Sequence, residues 1–116
     1  MALLKFKHLK CVEQNDMFGT DEIYFRVNGL RLRMGMNMET GTEVNMGPKW
    51  DQDFVDTVKV DLYDINKGVA DSYLGSHTVS KDDLGKGEQE VNFDDHERGK
   101  YILRYEVIDG ELGPER

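Results

Sequence analysis

The sequence has little cysteine and proline, and it contains no long apolar run. Its single cysteine, Cys11, excludes a disulfide within the chain. No stretch approaches the roughly 20 apolar residues that a membrane-spanning helix needs. The first residues, Met1 to Lys7, lack the apolar core of a secretory signal, and Ala2 excludes N-myristoylation. These absences predict a cytoplasmic location, either free or peripheral at a membrane.

Positive charge is also scarce. The 116 residues include 15 Lys and Arg against 23 Asp and Glu, which gives a formal net charge of −8. Binding to nucleic acid needs a dominant basic surface that neutralises phosphates, so we expect no nucleic-acid partner. An acidic chain uses its charge either for solubility or to recruit a cation, and composition leaves both open.

Glycine is abundant, with 12 residues, and short alternating segments lie between turn signals. The segment from Thr57 to Tyr63 alternates most clearly, with Val58, Val60 and Leu62 on one face. Asn28-Gly29 is a strong hairpin signal. About eight such segments, with no sustained helical period, predict an all-β fold, either an antiparallel β-sandwich or a β-barrel.

Several segments resemble the motifs of C2 domains. Residues 16–27 begin Asp-Met-Phe-Gly-Thr-Asp, similar to the first calcium loop of that family. Residues 47–54 resemble its Asn-Pro-x-Trp-Asn-Glu-x-Phe stretch, and residues 60–66 with 71–75 resemble its third loop. The last strand, Gly99 to Ile108, is similar to one that comes first in one C2 topology and last in the other. The resemblance therefore implies an all-β fold, an eight-stranded antiparallel C2-like β-sandwich of the second topology.

The resemblance also implies a calcium site in the loops at one end of the sandwich. Six residues with side-chain oxygens fall on or beside the ligand positions: Asp16, Asp21, Glu22, Asp64, Asn66 and Asp71. Asp16 and Asp64 fall in register, whereas Glu22 and Asn66 stand where the family has aspartate. Calcium prefers such hard oxygen ligands, about six to eight of them.

Apolar residues stand at the tips of the same loops, with Met17 and Phe18 in the first and Val69 in the third. The resemblance implies that bound calcium neutralises the loops, after which these tips enter the interface of an anionic membrane. The alternative for Phe18 is to fold back as a lid on the core. Arg31 and Arg33 share an outward face, which would contact anionic headgroups or simply be solvated.

Two functions therefore stay open. The first is a calcium-responsive binding module that docks on anionic phospholipid. The second is a calcium-independent C2-like domain that binds a protein partner or serves a structural role. We expect the domain to span residues 1–110 and to be followed by a tail over residues 111–116. The sequence leaves the oligomeric state open.

An enzyme is not predicted. His8, His77 and His96 are scattered without metal-ligand spacing, and no phosphate loop or nucleophile elbow is present. The segment that starts at Asp64 is not an EF-hand, because Val69 stands at its position six, where glycine is required. Trp50, the only tryptophan, is predicted to anchor the core.

Overall fold

The computed structural model describes residues 1–110, so the predicted tail over residues 111–116 lies outside the described residues. Two antiparallel sheets pack face to face, and no α-helix occurs within the described range. Consequently none of its helical segments is long and apolar enough to cross a membrane. The strands are β1 Ala2–Glu13, β2 Asp21–Val27, β3 Leu30–Met38, β4 Glu43–Asn45, β5 Gln52–Phe54, β6 Thr57–Asp64, β7 Ser72–Ser80, β8 Glu88–Phe93 and β9 Lys100–Asp109. The predicted antiparallel sandwich is confirmed.

The five-stranded sheet has the order β4-β1-β9-β8, and β5 pairs with β1 beside this path. The four-stranded sheet has the order β3-β2-β6-β7. The last strand, β9, lies between β1 and β8 and pairs with both. It is an interior strand of its sheet, and it comes last in the chain as predicted.

The structure has nine strands over residues 1–110, one more than predicted. The sequence suggests one short strand within residues 37–49, where β4 lies, and gives no sign of β5. Both strands have three residues and pair with different parts of β1. Three residues are too few to display an alternation, so only the partner strand reveals them.

Aromatic rings fill the space between the sheets. The rings of Phe6 and Phe25 meet edge to face with centroids 5.0 Å apart. Trp50 is 4% exposed, and its ring lies 6.4 Å from that of Phe6 and 6.1 Å from that of Phe25. Burial of each large apolar side chain contributes about 1.5–3 kcal/mol. The predicted role of Trp50 as a core anchor is confirmed.

Tyr24 is buried although it lies on the outer face of β2. The alternation of β2 places it outward, yet it is 1% exposed. The Arg31 guanidinium lies 4.0 Å from the centre of its ring, and the Tyr63 ring stacks at 5.4 Å. Neighbouring side chains on the outer face therefore cover Tyr24, which single-strand alternation does not register.

Four loops meet at one end of the sandwich, which we call the apical end. They connect β1 to β2, β3 to β4, β6 to β7 and β8 to β9. Side-chain hydrogen bonds tie the first of these loops to Thr40 in the second and to Asp64, the last residue of β6 before the third. Gly99, in the fourth, lies against Asn15, in the first.

Candidate functional site

Three aspartates converge at the apical end. One carboxylate oxygen from each of Asp16, Asp21 and Asp64 lies within 4.8 Å of the other two. Asp21 begins β2 and Asp64 ends β6, while Asp16 lies in the preceding loop. β2 and β6 are antiparallel neighbours with Ile23 opposite Asp64. The start of one strand therefore lies beside the end of the other, and the topology itself assembles the cluster.

Asp21 is fully buried and accepts three hydrogen bonds. The backbone N–H groups of Asn15 and Asp16 donate to it at 2.7 and 2.8 Å. The hydroxyl of Tyr101 donates to the Asp21 carboxylate at 2.6 Å. Donors on both carboxylate oxygens fix the side chain in one orientation beneath the loop.

Asp64 is also fully buried, and two donors reach it. The backbone N–H of Glu22 donates to one oxygen at 2.8 Å, and the side-chain amide of Asn15 donates to the other at 2.9 Å. Burial raises the pKa of Asp64 to about 6; these hydrogen bonds oppose that rise, and the negative charges of Asp21 and Asp16 add to it.

Asn15 is a site residue that the sequence did not single out. Its backbone N–H donates to Asp21, and its side chain donates to Asp64. One residue thus connects the two buried carboxylates. The only sequence signal was its place in a polar turn, and polar turns are common on protein surfaces.

Gln14 was also missed. Its side-chain amide donates to the carbonyls of Asp16 at 2.9 Å and Gly19 at 2.8 Å. The side-chain carbonyl of Gln14 accepts the backbone N–H of Thr40 at 3.1 Å. The Thr40 hydroxyl accepts the backbone N–H of Gln14 at 3.0 Å. These four bonds shape the first apical loop and join it to the second.

The other three predicted ligands lie outside this cluster. The side chain of Glu22 is exposed. Asn66 uses its amide within the third loop, donating to Ala70 and Ser72 at 3.0 and 2.8 Å. The carboxylate of Asp71 accepts the phenol of Tyr24. The structure therefore brings together Asp16, Asp21 and Asp64, and a ligand role for the other three stays a prediction.

The cluster holds concentrated negative charge. Within residues 1–110, no lysine, arginine or histidine forms an ion pair with Asp16, Asp21 or Asp64. Carboxylates held this close repel one another, and either a proton or a cation relieves the repulsion. A donor set made only of carboxylate oxygens suits a hard cation such as calcium.

The apolar tips of the loops are exposed. Met17 is 69% exposed, Phe18 is 88% exposed and Val69 is 71% exposed. Phe18 therefore does not fold back as a lid on the core. Large apolar side chains in open solvent at one end of a domain are available for contact with another apolar phase.

Comparisons with known proteins find similarity in structure alone. No family model and no curated protein matches the sequence. A structure described as a C2 domain aligns with a TM-score of 0.47 and 15% identity, covering 91% of this chain and 96% of that one. The C2A domain of plant extended synaptotagmin 1 aligns with a TM-score of 0.46 and 12% identity, covering 92% and 91%.

A third structure contains the C2A and C2B domains of extended synaptotagmin 2. It aligns with a TM-score of 0.47 and 15% identity, covering 91% of this chain and 40% of that one. All three are structures of C2 domains, the family that the motifs of this sequence resemble.

Proposed function

We propose that this domain is a calcium-responsive binding module that docks on anionic membrane through its apical loops. The observation that carries the proposal is the convergence of Asp16, Asp21 and Asp64 from two adjoining strands and a loop. Calcium would supply positive charge there, and no catalytic chemistry is assigned to it. Water and backbone carbonyls would complete its six to eight ligands.

The arrangement of the loops supports the membrane part of the proposal. Met17 and Phe18 lie in the loop that carries Asp16, and Val69 lies in the loop that follows Asp64. Neutralising the carboxylates would remove the charge that keeps these apolar tips away from an anionic surface. Arg31 pairs opposite Arg26, near the β2–β3 turn at the other end of the sheet, and its guanidinium lies over the Tyr24 ring, so we do not count it among the apical contacts.

The second candidate is a calcium-independent domain that binds a protein partner. One observation favours it: five donors from the protein already bond the two buried carboxylates. Buried polar groups that are satisfied in this way do not need a cation for folding. Under this alternative, the cluster is a structural element that ties the loops together.

Calcium-dependent thermal unfolding of the full chain separates the two candidates. Under the proposal, calcium at ten times its dissociation constant adds about 1.4 kcal/mol and raises the melting temperature by a few degrees. Asp64→Asn should abolish this shift. Asp56→Asn is the matched control, because Asp56 lies at the opposite end of β6 in an exposed ion pair with Lys81. No shift up to several millimolar calcium would favour the second candidate.

Co-sedimentation with vesicles then tests the membrane. Vesicles that contain phosphatidylserine should bind the domain in calcium and release it in a chelator, whereas neutral vesicles should not bind it. Phe18→Ser should weaken sedimentation and leave the calcium-dependent thermal shift unchanged. If calcium raises the melting temperature but no vesicle binds, the partner is not an anionic membrane.

A further inference from the structure

His77 and Tyr105 connect the two sheets on the side of the sandwich away from β3. His77 belongs to β7, an edge strand of the four-stranded sheet, and Tyr105 belongs to β9 in the five-stranded sheet. The imidazole Nε2 and the phenolic oxygen are 3.0 Å apart, and the ring centroids are 5.6 Å apart. Tyr105 is 2% exposed, and His77 is half-buried.

We propose that His77 and Tyr105 form a proton-sensitive clasp between the sheets, closed while the imidazole is neutral and opened when acid protonates it. The neutral ring bonds the phenol in either tautomer, as an acceptor or as a donor. An imidazolium must keep its charge hydrated, and the half-buried site between the sheets hydrates it poorly. Protonation therefore favours a state in which the edge strand separates and water reaches the ring.

The groups around His77 explain why its neutral form is favoured in the folded protein. In β6, the residue opposite it is the apolar Val60. In β8, Gln89 lies 3.5 Å from the Tyr105 hydroxyl and is uncharged. Asp83, in the short 3-10 helix Lys81–Asp83, accepts a hydrogen bond from the Tyr105 hydroxyl and is the charged group that favours the imidazolium. Burial outweighs it, so the pKa of His77 lies below its ordinary value.

The sign of the pH effect follows from this lowering. The pKa of His77 is lower in the folded than in the unfolded chain. The clasp therefore gives its full stabilisation at pH values above the ordinary pKa of 6.5. Its contribution is lost as the pH falls through the folded pKa. β7 directly follows the third apical loop, so the clasp also secures the strand that ends this loop.

Amide hydrogen exchange of the full chain between pH 7.5 and 5.5 tests the clasp. After correction for intrinsic exchange, protection of the β7 amides should fall in acid relative to the His77→Gln variant, by up to about tenfold at pH 5.5, because the opposing titration of Asp64 is common to both proteins. His77→Gln keeps a polar partner for Tyr105 without a titrating group and should remove this fall. His96→Gln, in the loop between β8 and β9, is the matched control and should retain it.

A direct titration of the His77 ring protons by NMR keeps the test decisive if His77→Gln fails to fold. The clasp requires a midpoint below 6.5 in the wild-type protein. A midpoint at or above 6.5 would overturn it. The same loss of β7 protection in His77→Gln as in the wild type would overturn it as well.

Discussion

The side-chain amide of Asn15 donates a 2.9 Å hydrogen bond to the carboxylate of Asp64, which lies 49 residues away in the sequence. The same residue donates its backbone N–H to Asp21. The two carboxylates belong to different strands, so Asn15 holds the first apical loop against both. The geometry of the proposed cation site therefore depends on a residue that carries no charge.

Replacing Asn15 by alanine should destabilise the domain. The substitution removes a donor from a buried carboxylate, and an unsatisfied buried acceptor costs about 1–3 kcal/mol. Urea denaturation at pH 7.5 measures the free energy of unfolding. Asn92→Ala, at an exposed position in β8, is the control and should change it by less than about 0.5 kcal/mol. Equal effects of the two substitutions would contradict the role of Asn15.

The stability of the calcium-free domain should depend on pH through Asp64. The folded pKa of Asp64, about 6, lies above its ordinary value of 3.8. The contribution of this group is therefore fully present below pH 3.8 and is lost as the pH rises through about 6. Between pH 4.5 and 7.5, Asp64→Asn should remove this downward trend from the unfolding free energy. An unchanged trend in the variant would assign it to other groups.

Calcium and a proton should compete for the same carboxylates. Calcium affinity should therefore rise as the pH increases from 5 to 7.5, and binding near pH 6 should release protons. Titrations in two buffers with different ionisation enthalpies measure that release. Affinity that is constant over this range would mean that calcium binds away from Asp64.

Tyr101→Phe should destabilise the domain more than Tyr73→Phe. The Tyr101 hydroxyl is buried and donates to Asp21, so its removal leaves a buried carboxylate one donor short, at a cost of about 1–3 kcal/mol. The Tyr73 hydroxyl contacts Ser76 at an exposed position, where water replaces it. Urea denaturation of both variants gives the comparison, and equal losses would contradict the buried bond.

The sequence predicted the sandwich because its signals are local. Alternation in β6 placed Val58, Val60 and Leu62 in the core, and the structure buries all three. It also predicted Asp16, Asp21 and Asp64 as candidate ligands, through a family resemblance. It could not find Asn15 or Tyr101, because an asparagine in a polar turn and a tyrosine in a strand look ordinary. Their partners lie 49 and 80 residues away, and only the packed sheets bring them together.

Glu22 and Asp71 show the converse: the sequence predicted both as ligands, and both lie outside the cluster. Sequence spacing places Glu22 on an expected ligand position, yet the adjoining Asp21 is the buried member of the cluster. Neighbouring residues of a strand point to opposite faces, so a shift of one residue decides which side chain enters the site. Asp71 lies in the expected loop, but its carboxylate bonds the phenol of Tyr24, which no local pattern indicates.

Isothermal titration of calcium into the calcium-free full chain at pH 7.5 tests the central claim most directly. We expect saturable binding with a dissociation constant below about 1 mM, the range of extracellular calcium modules or tighter. Asp64→Asn should abolish that binding, and Asp56→Asn should preserve it. Absence of saturable binding up to several millimolar calcium, in a wild-type sample that is folded, would contradict the claim.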